Sequence, residues 1–266
     1  VDTIIENPLI KAVTLTGSTE AGRKVAAKAG SLLKKSVLEL GGSDAYLILH
    51  DADIELAAET CVNSRLINSG QSCIAAKRFI VVSSVEKEFT ELFLKKMRSR
   101  IMGDPFDERT DIGPQARPDL RDELHNQVME SIKMGAVCLL GGEIPEGKNA
   151  FYPPTVLTEV KKGMPAFDEE LFGPVAAIIS VNNEKEAIDM ANDSVFGLGA
   201  AVFTKDIQRG EAIASKSLQA GSCFVNALVK SDPRLPFGGI RQSGYGRELG
   251  IYGIKEFVNI KTVYIK

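Results

Sequence analysis

Two periods alternate along this chain. The apolar run Ala12-Val13-Thr14-Leu15 feeds Thr16-Gly17-Ser18 and a stretch of helical spacing over 19–29, and a second short apolar strand is predicted over 36–40. Strand, turn, helix and strand make one βαβ unit, which belongs to a larger parallel sheet with a right-handed crossover. One such unit cannot cover both faces of its sheet. The pattern therefore predicts further strands upstream and a chain that is the C-terminal part of a longer polypeptide.

The alternation continues with a strand over 46–49, and then with Ile54, Ala57, Ala58, Cys61, Val62 and Leu66 at helical spacing, where Asp51 or Asp53 can cap the helix. A strand is predicted over 79–82, followed by a helix with Phe89, Leu92, Phe93 and Met97 on one face. The polar segment 103–118 reads as a loop. Leu120, Leu124, Val128 and Ile132 fall at four-residue intervals ahead of a strand over 136–140. The unbroken apolar run 175–181 suits a central parallel strand buried on both faces. Helices over 184–192 and 206–218 alternate with strands over 199–203 and 222–226, which makes the fold class α/β with a parallel-rich sheet flanked by helices. Residues 258–266 alternate like an exposed strand in need of a sheet.

Composition narrows the function. Lys and Arg number 32 against 35 Asp and Glu, a net charge of −3, so no electrostatic footprint for nucleic acid is present and that partner is not expected. No apolar run reaches the ~20 residues that span a bilayer, so no membrane association is expected and a cytoplasmic protein is predicted. Cys61, Cys73, Cys138 and Cys223 are dispersed without a CxxC pair, and His50 and His125 have no zinc-ligand spacing, so neither a disulfide scaffold nor a metal is predicted.

Three segments can carry chemistry. Cys73 lies in Gly70-Gln71-Ser72-Cys73-Ile74-Ala75, between an amphipathic helix and a strand, where a loop can present a nucleophile; an isolated Cys is more often a small core residue. Glu39, in Leu38-Glu39-Leu40-Gly41-Gly42, is either a solvated strand-end charge or a base raised by partial burial. Gly17-Ser18-Thr19 opens a helix after a strand, which offers N–H groups to a phosphate or, more simply, a helix cap.

Taken with Glu169-Glu170-Leu171-Phe172-Gly173-Pro174, Pro236-Phe237-Gly238-Gly239, Ser243-Gly244-Tyr245-Gly246-Arg247-Glu248-Leu249-Gly250 and Lys261-Thr262-Val263, these segments resemble the aldehyde dehydrogenase superfamily over essentially the whole chain. The resemblance implies that Cys73 attacks an aldehyde to give a thiohemiacetal, that NAD or NADP takes the hydride, and that Glu39 activates the water that hydrolyses the thioester. It implies a proton path through Glu248, pyrophosphate contacts at Gly17 and Ser18, nicotinamide contacts at Leu40, Gly41, Glu170 and Phe172, and a substrate tunnel at Phe237. The implied domain plan is a remnant of the Rossmann-like dinucleotide-binding domain over 1–42, the catalytic domain over 43–242, and a return segment with an oligomerisation strand over 243–266, giving a homo-oligomer (dimer or tetramer). The segments 38–44 and 75–79 look most like the bacterial succinate-semialdehyde dehydrogenase branch. Ile67 stands where members of that branch carry an arginine, so Arg65, Ser231 and Arg234 are the substitute candidates for anchoring an acidic aldehyde. With no Trp, the chain lacks a counterpart to the family's Pro-Trp-Asn oxyanion segment. A truncated, poorly active portion is therefore expected, with a non-catalytic oligomerising fragment or a cofactor-independent thiol esterase as alternatives.

Overall fold

The computed structural model describes residues 1–147 and 149–266. In chain order the elements are α1 (Asp2–Glu6), β1 (Ala12–Thr16), α2 (Thr19–Ser31), β2 (Lys35–Glu39), β3 (Ala45–Ile48), α3 (Ile54–Leu66), β4 (Arg78–Val82), α4 (Ser83–Arg98), α5 (Pro118–Lys133), β5 (Val137–Leu140), β6 (Thr155–Thr158), α6 (Pro165–Asp168), β7 (Val175–Val181), α7 (Glu184–Asn192), β8 (Gly199–Phe203), α8 (Ile207–Ala212), β9 (Ser222–Val225), β10 (Gly244–Tyr245) and α9 (Gly250–Glu256). They form two compact units, a larger one over Gly42–Val229 and a smaller one made of Val1–Gly41 and Lys230–Lys266. The return to the smaller unit thus starts at Lys230, ahead of the expected boundary at Gln242.

The larger unit is built on a seven-stranded sheet in the order β5-β6-β7-β4-β3-β8-β9, parallel throughout except for the antiparallel edge strand β5. Alternate side chains of the central strands feed two separate cores. Tyr46, Ile48, Phe79, Val81 and Ile178 pack with Cys61, Phe89 and Phe93 on one face. Leu47, Ile80, Val82, Ala177 and Ile179 pack with Leu124, Val128 and Phe167 on the other. Because both faces are covered, these strands read as unbroken apolar runs. Asp53 caps α3 by accepting from the Leu56 N–H at 3.1 Å, whereas Asp51 accepts from the Thr204 hydroxyl.

In the smaller unit β1 pairs with β2 in parallel and β10 adds to the other side of β2 antiparallel, with Gly244 opposite Glu39. Ser18 caps α2 through its hydroxyl, which accepts from the Ala21 N–H at 3.2 Å. The side chains of Val37, Leu38 and Glu39 are buried.

One expectation changes. The single helix over 206–218 is instead α8 followed by a π-helical turn over Ile213–Ser217. Residues 258–266 are exposed and form no strand within this chain. Among the described residues no helix is long and apolar enough to cross a membrane, and no group of three or more His, Cys, Asp and Glu is placed to hold a metal ion.

Candidate active site

In the larger unit the segment between α3 and β4 folds back tightly before it presents Cys73. Asn68 and Ser69 adopt left-handed conformations (φ 49° and 57°), and Gly70 follows at φ 77°. A side chain at Gly70 would lie 2.2 Å from the backbone of Gly173, so the glycine is required by the approach of the 173–174 turn as well as by its own φ. Polar groups then pin the loop from several directions. The Ser69 hydroxyl accepts from the Gly113 N–H at 2.9 Å, and the Gln71 side chain accepts from the Ala116 N–H at 2.7 Å while donating to the Pro114 carbonyl at 3.3 Å.

Two buried cations complete the support. Arg65, 0% exposed, donates to the Gly70 carbonyl at 2.8 Å and to the Val175 carbonyl at 3.2 Å. Lys77, also 0% exposed, folds its ammonium back onto the carbonyls of Ser72, Cys73 and Ala75 at 3.2, 2.9 and 3.0 Å. The Glu170 carboxylate lies 3.6 Å from that ammonium and accepts from the Gly42 N–H at 3.0 Å. Burial raises the Cys73 thiol above its ordinary pKa, Lys77 draws it back, and the Asp44 and Glu170 carboxylates push it further up. Asp44 is itself buried; its carboxyl is pushed up to about 6, chiefly by burial, against the pull of Lys77.

In the smaller unit Glu39 closes strand β2 with its side chain inward, 4% exposed, and neither carboxyl oxygen has a hydrogen-bond partner among the described residues. Burial raises its pKa to about 8, the Glu248 carboxylate adds to the rise, and the Arg247 guanidinium opposes it. Gly238 (φ 152°) passes so close that a Cβ there would sit 2.7 Å from a Glu39 oxygen. Phe237 and Glu248 exchange backbone hydrogen bonds at 2.8 and 2.7 Å, which holds the Pro-Phe-Gly-Gly segment beside the Gly-Arg-Glu segment. Glu39, Glu248 and Phe237 are thus brought together within this unit, as are Cys73 and Glu170 within the other.

A loop cysteine fixed through its backbone, and a buried carboxyl tuned toward neutral pH, occur here in a chain whose residues 1–263 match the model of the aldehyde dehydrogenase family. The chain belongs to the aldehyde dehydrogenase family. It is 49% identical to a succinate semialdehyde dehydrogenase [NAD(P)+] of Escherichia coli (strain K12), covering 99% of this chain and 57% of that protein. It is 48% identical to a probable succinate-semialdehyde dehydrogenase [NADP(+)] of Synechocystis sp., over 96% of this chain and 56% of that one. Among solved structures, a succinic semialdehyde dehydrogenase from Streptococcus pyogenes in complex with NADP+ superposes with a TM-score of 0.96 at 39% identity, over 99% of this chain and 58% of that chain. This aldehyde dehydrogenase chain therefore spans somewhat more than half the length of the relatives it matches.

The other expected residues fall into distinct settings. Gly17 and Ser18 are exposed at the start of α2, Leu40 and Gly41 are buried just after β2, and Phe172 is 42% exposed. Ser231 is exposed, and Arg234 is exposed and paired with Asp232 at 2.6 Å. Arg65 departs from its expected part as a substrate anchor: it has no exposed surface, and both terminal nitrogens are committed to backbone carbonyls. Residues that sequence reasoning passed over are Lys77, Asp44, Gln71 and Arg247. The one available signal was an unusual pair of basic residues, Lys77-Arg78, entering an otherwise apolar strand.

Proposed function

We propose that these residues carry the acyl-transfer chemistry of an NAD(P)+-dependent aldehyde dehydrogenase whose substrate is succinate semialdehyde, in a cytoplasmic homo-oligomer. The observation that carries this reading is Glu39, a buried, unpartnered carboxyl raised to about 8, which is the tuning a base needs to take a proton from water near neutral pH. The names of the E. coli and Synechocystis relatives support the substrate class. The exposed apolar side chains of Ile260, Val263, Tyr264 and Ile265 support assembly with further copies.

The residues present fit a dinucleotide in part. The Gly17-Ser18 turn at the start of α2 is open, and a Cβ placed at Gly17 would meet nothing closer than Leu15 at 3.8 Å, so an anionic phosphate can approach the first-turn N–H groups. The half-exposed Phe172 ring offers an apolar face, and the Glu170 carboxylate is an acceptor for sugar hydroxyls. When bound, NAD(P)+ supplies the acceptor for the two electrons that leave the substrate as hydride.

In this account Cys73 Sγ attacks the aldehyde carbon, the carbonyl electron pair moves onto oxygen, and the thiol proton passes through solvent to that oxygen to give a thiohemiacetal. Oxidation leaves a thioester on Cys73. The Glu39 carboxylate then takes a proton from water, the new C–O bond forms, the C–S bond breaks, and the thiolate is reprotonated as the acid departs. Ser231 and Arg234 are the proposed anchors for the substrate carboxylate, Arg234 by exchanging Asp232 for it. Cys73→Ala tests the reading in the polypeptide that carries this sequence. Both reduction of NAD(P)+ by succinate semialdehyde and hydrolysis of an activated ester should fall to background; either activity surviving excludes Cys73. Ester hydrolysis without any dependence on NAD(P)+ in the unsubstituted protein, together with no aldehyde oxidation, would identify a thiol esterase instead.

A further inference from the structure

A lysine with no exposed surface is costly unless its charge is used, and Lys77 is surrounded by acceptors rather than buried among apolar groups. Three carbonyls within 3.2 Å call for three donors, which only the protonated ammonium provides. Two of those carbonyls belong to Ser72 and Cys73, so the lysine fixes the peptide planes on either side of the nucleophile. Gly42 closes the same carbonyl from another side, since a Cβ there would lie 3.0 Å from the Cys73 oxygen. The charges facing Lys77 are Glu170, Arg65 and Asp44; those facing the Cys73 thiol are Lys77, Asp44 and Glu170. Lys77 is thus the cation in this set that favours the thiolate, and Glu170 is its countercharge at 3.6 Å.

We propose that Lys77 is the positioning residue of the nucleophile: its ammonium both locks the 72–75 backbone and stabilises the thiolate at Cys73, with Glu170 moderating that charge. This inference rests on Cys73 being the nucleophile. It also assigns the 72–77 segment a single purpose, in which the lysine four residues after the cysteine folds back to hold it.

The test is iodoacetamide labelling with peptide mapping across a pH series on the unsubstituted protein, Lys77→Met and Glu170→Gln, with a thermal melt of each. In the unsubstituted protein Cys73 should label fastest of the four cysteines; if it does not, the nucleophile assignment fails and this inference fails with it. With Cys73 fastest, Lys77→Met should move its labelling midpoint up by about one pH unit, roughly tenfold slower labelling near pH 7, and Glu170→Gln should move it down. A Lys77→Met protein that melts earlier with an unmoved midpoint shows a merely structural lysine and overturns the proposal alone. Should Lys77→Met not fold, Lys77→Gln takes its place: a raised midpoint supports the electrostatic role, and an unmoved or lowered midpoint refutes it.

Discussion

The loop that carries Cys73 and the strand that carries Glu39 are stabilised in opposite ways. Around Cys73 side chains engage the backbone: Arg65, Ser69, Gln71 and Lys77 hold it on both sides of the cysteine and in the neighbouring 113–116 segment, although Arg65 Nε and Asp44 Oδ2 keep no partner among the described residues. Around Glu39 the backbone is paired on both sides, by β1 and β10, while the carboxyl itself is left without a partner. A nucleophile needs position, which side chains bonded to the loop backbone supply. A base working near neutral pH needs an elevated pKa, and burying a carboxyl without donors supplies that at the expense of stability.

The largest effect is expected where the nucleophile loop is tightest. Gly70→Ala adds a Cβ 2.2 Å from the Gly173 backbone at a residue with φ 77°. It should cost at least about 3 kcal/mol of stability through strain and overpacking. Mapped alkylation of Cys73 should slow together with the melt. A variant that melts normally and labels Cys73 at the original rate would show that the loop is not held in the manner described.

An effect opposite in sign is expected at Glu39. Glu39 has a folded pKa of about 8 against an ordinary 4.5, so between those values the folded chain holds more protons than the unfolded one and loses stability as pH rises. Glu39→Gln escapes that loss. Its melting temperature should match the unsubstituted protein near pH 4.5 and exceed it progressively toward pH 8 and above, with a gain on the order of a few kcal/mol. Equal melting temperatures across the range would mean that the carboxyl is solvated or paired.

The contrast also explains what the sequence could and could not disclose. β4 and β7 were legible because strands buried on both faces leave unbroken apolar runs, and α2 and α3 because their caps and apolar stripes are local. Cys73 and Glu39 emerged from motifs that are contiguous in sequence. Lys77 did not, and Arg65 emerged only as a substrate anchor, since a basic residue near a helix end or strand start looks solvated until the fold turns it back onto the carbonyls of its own loop and, for Arg65, onto that of Val175. The β10 pairing had the same difficulty: Gly244 meets Glu39 across most of the chain, and two residues give no periodicity. The tail over 258–266 alternates as a strand should, and alternation reports a preference for a sheet without naming the edge that would pair with it.

The most direct test of this division of labour is rapid-mixing kinetics of Glu39→Gln in the polypeptide that carries this sequence, with succinate semialdehyde and NAD(P)+ followed by nicotinamide absorbance. The account predicts a burst of about one reduced nicotinamide per Cys73, followed by turnover slowed by about 10²-fold or more as the thioester waits for an unactivated water, and accumulation of an acylated Cys73 detectable by mass. Steady turnover at the unsubstituted rate, with no acyl group on Cys73, would remove Glu39 from the mechanism.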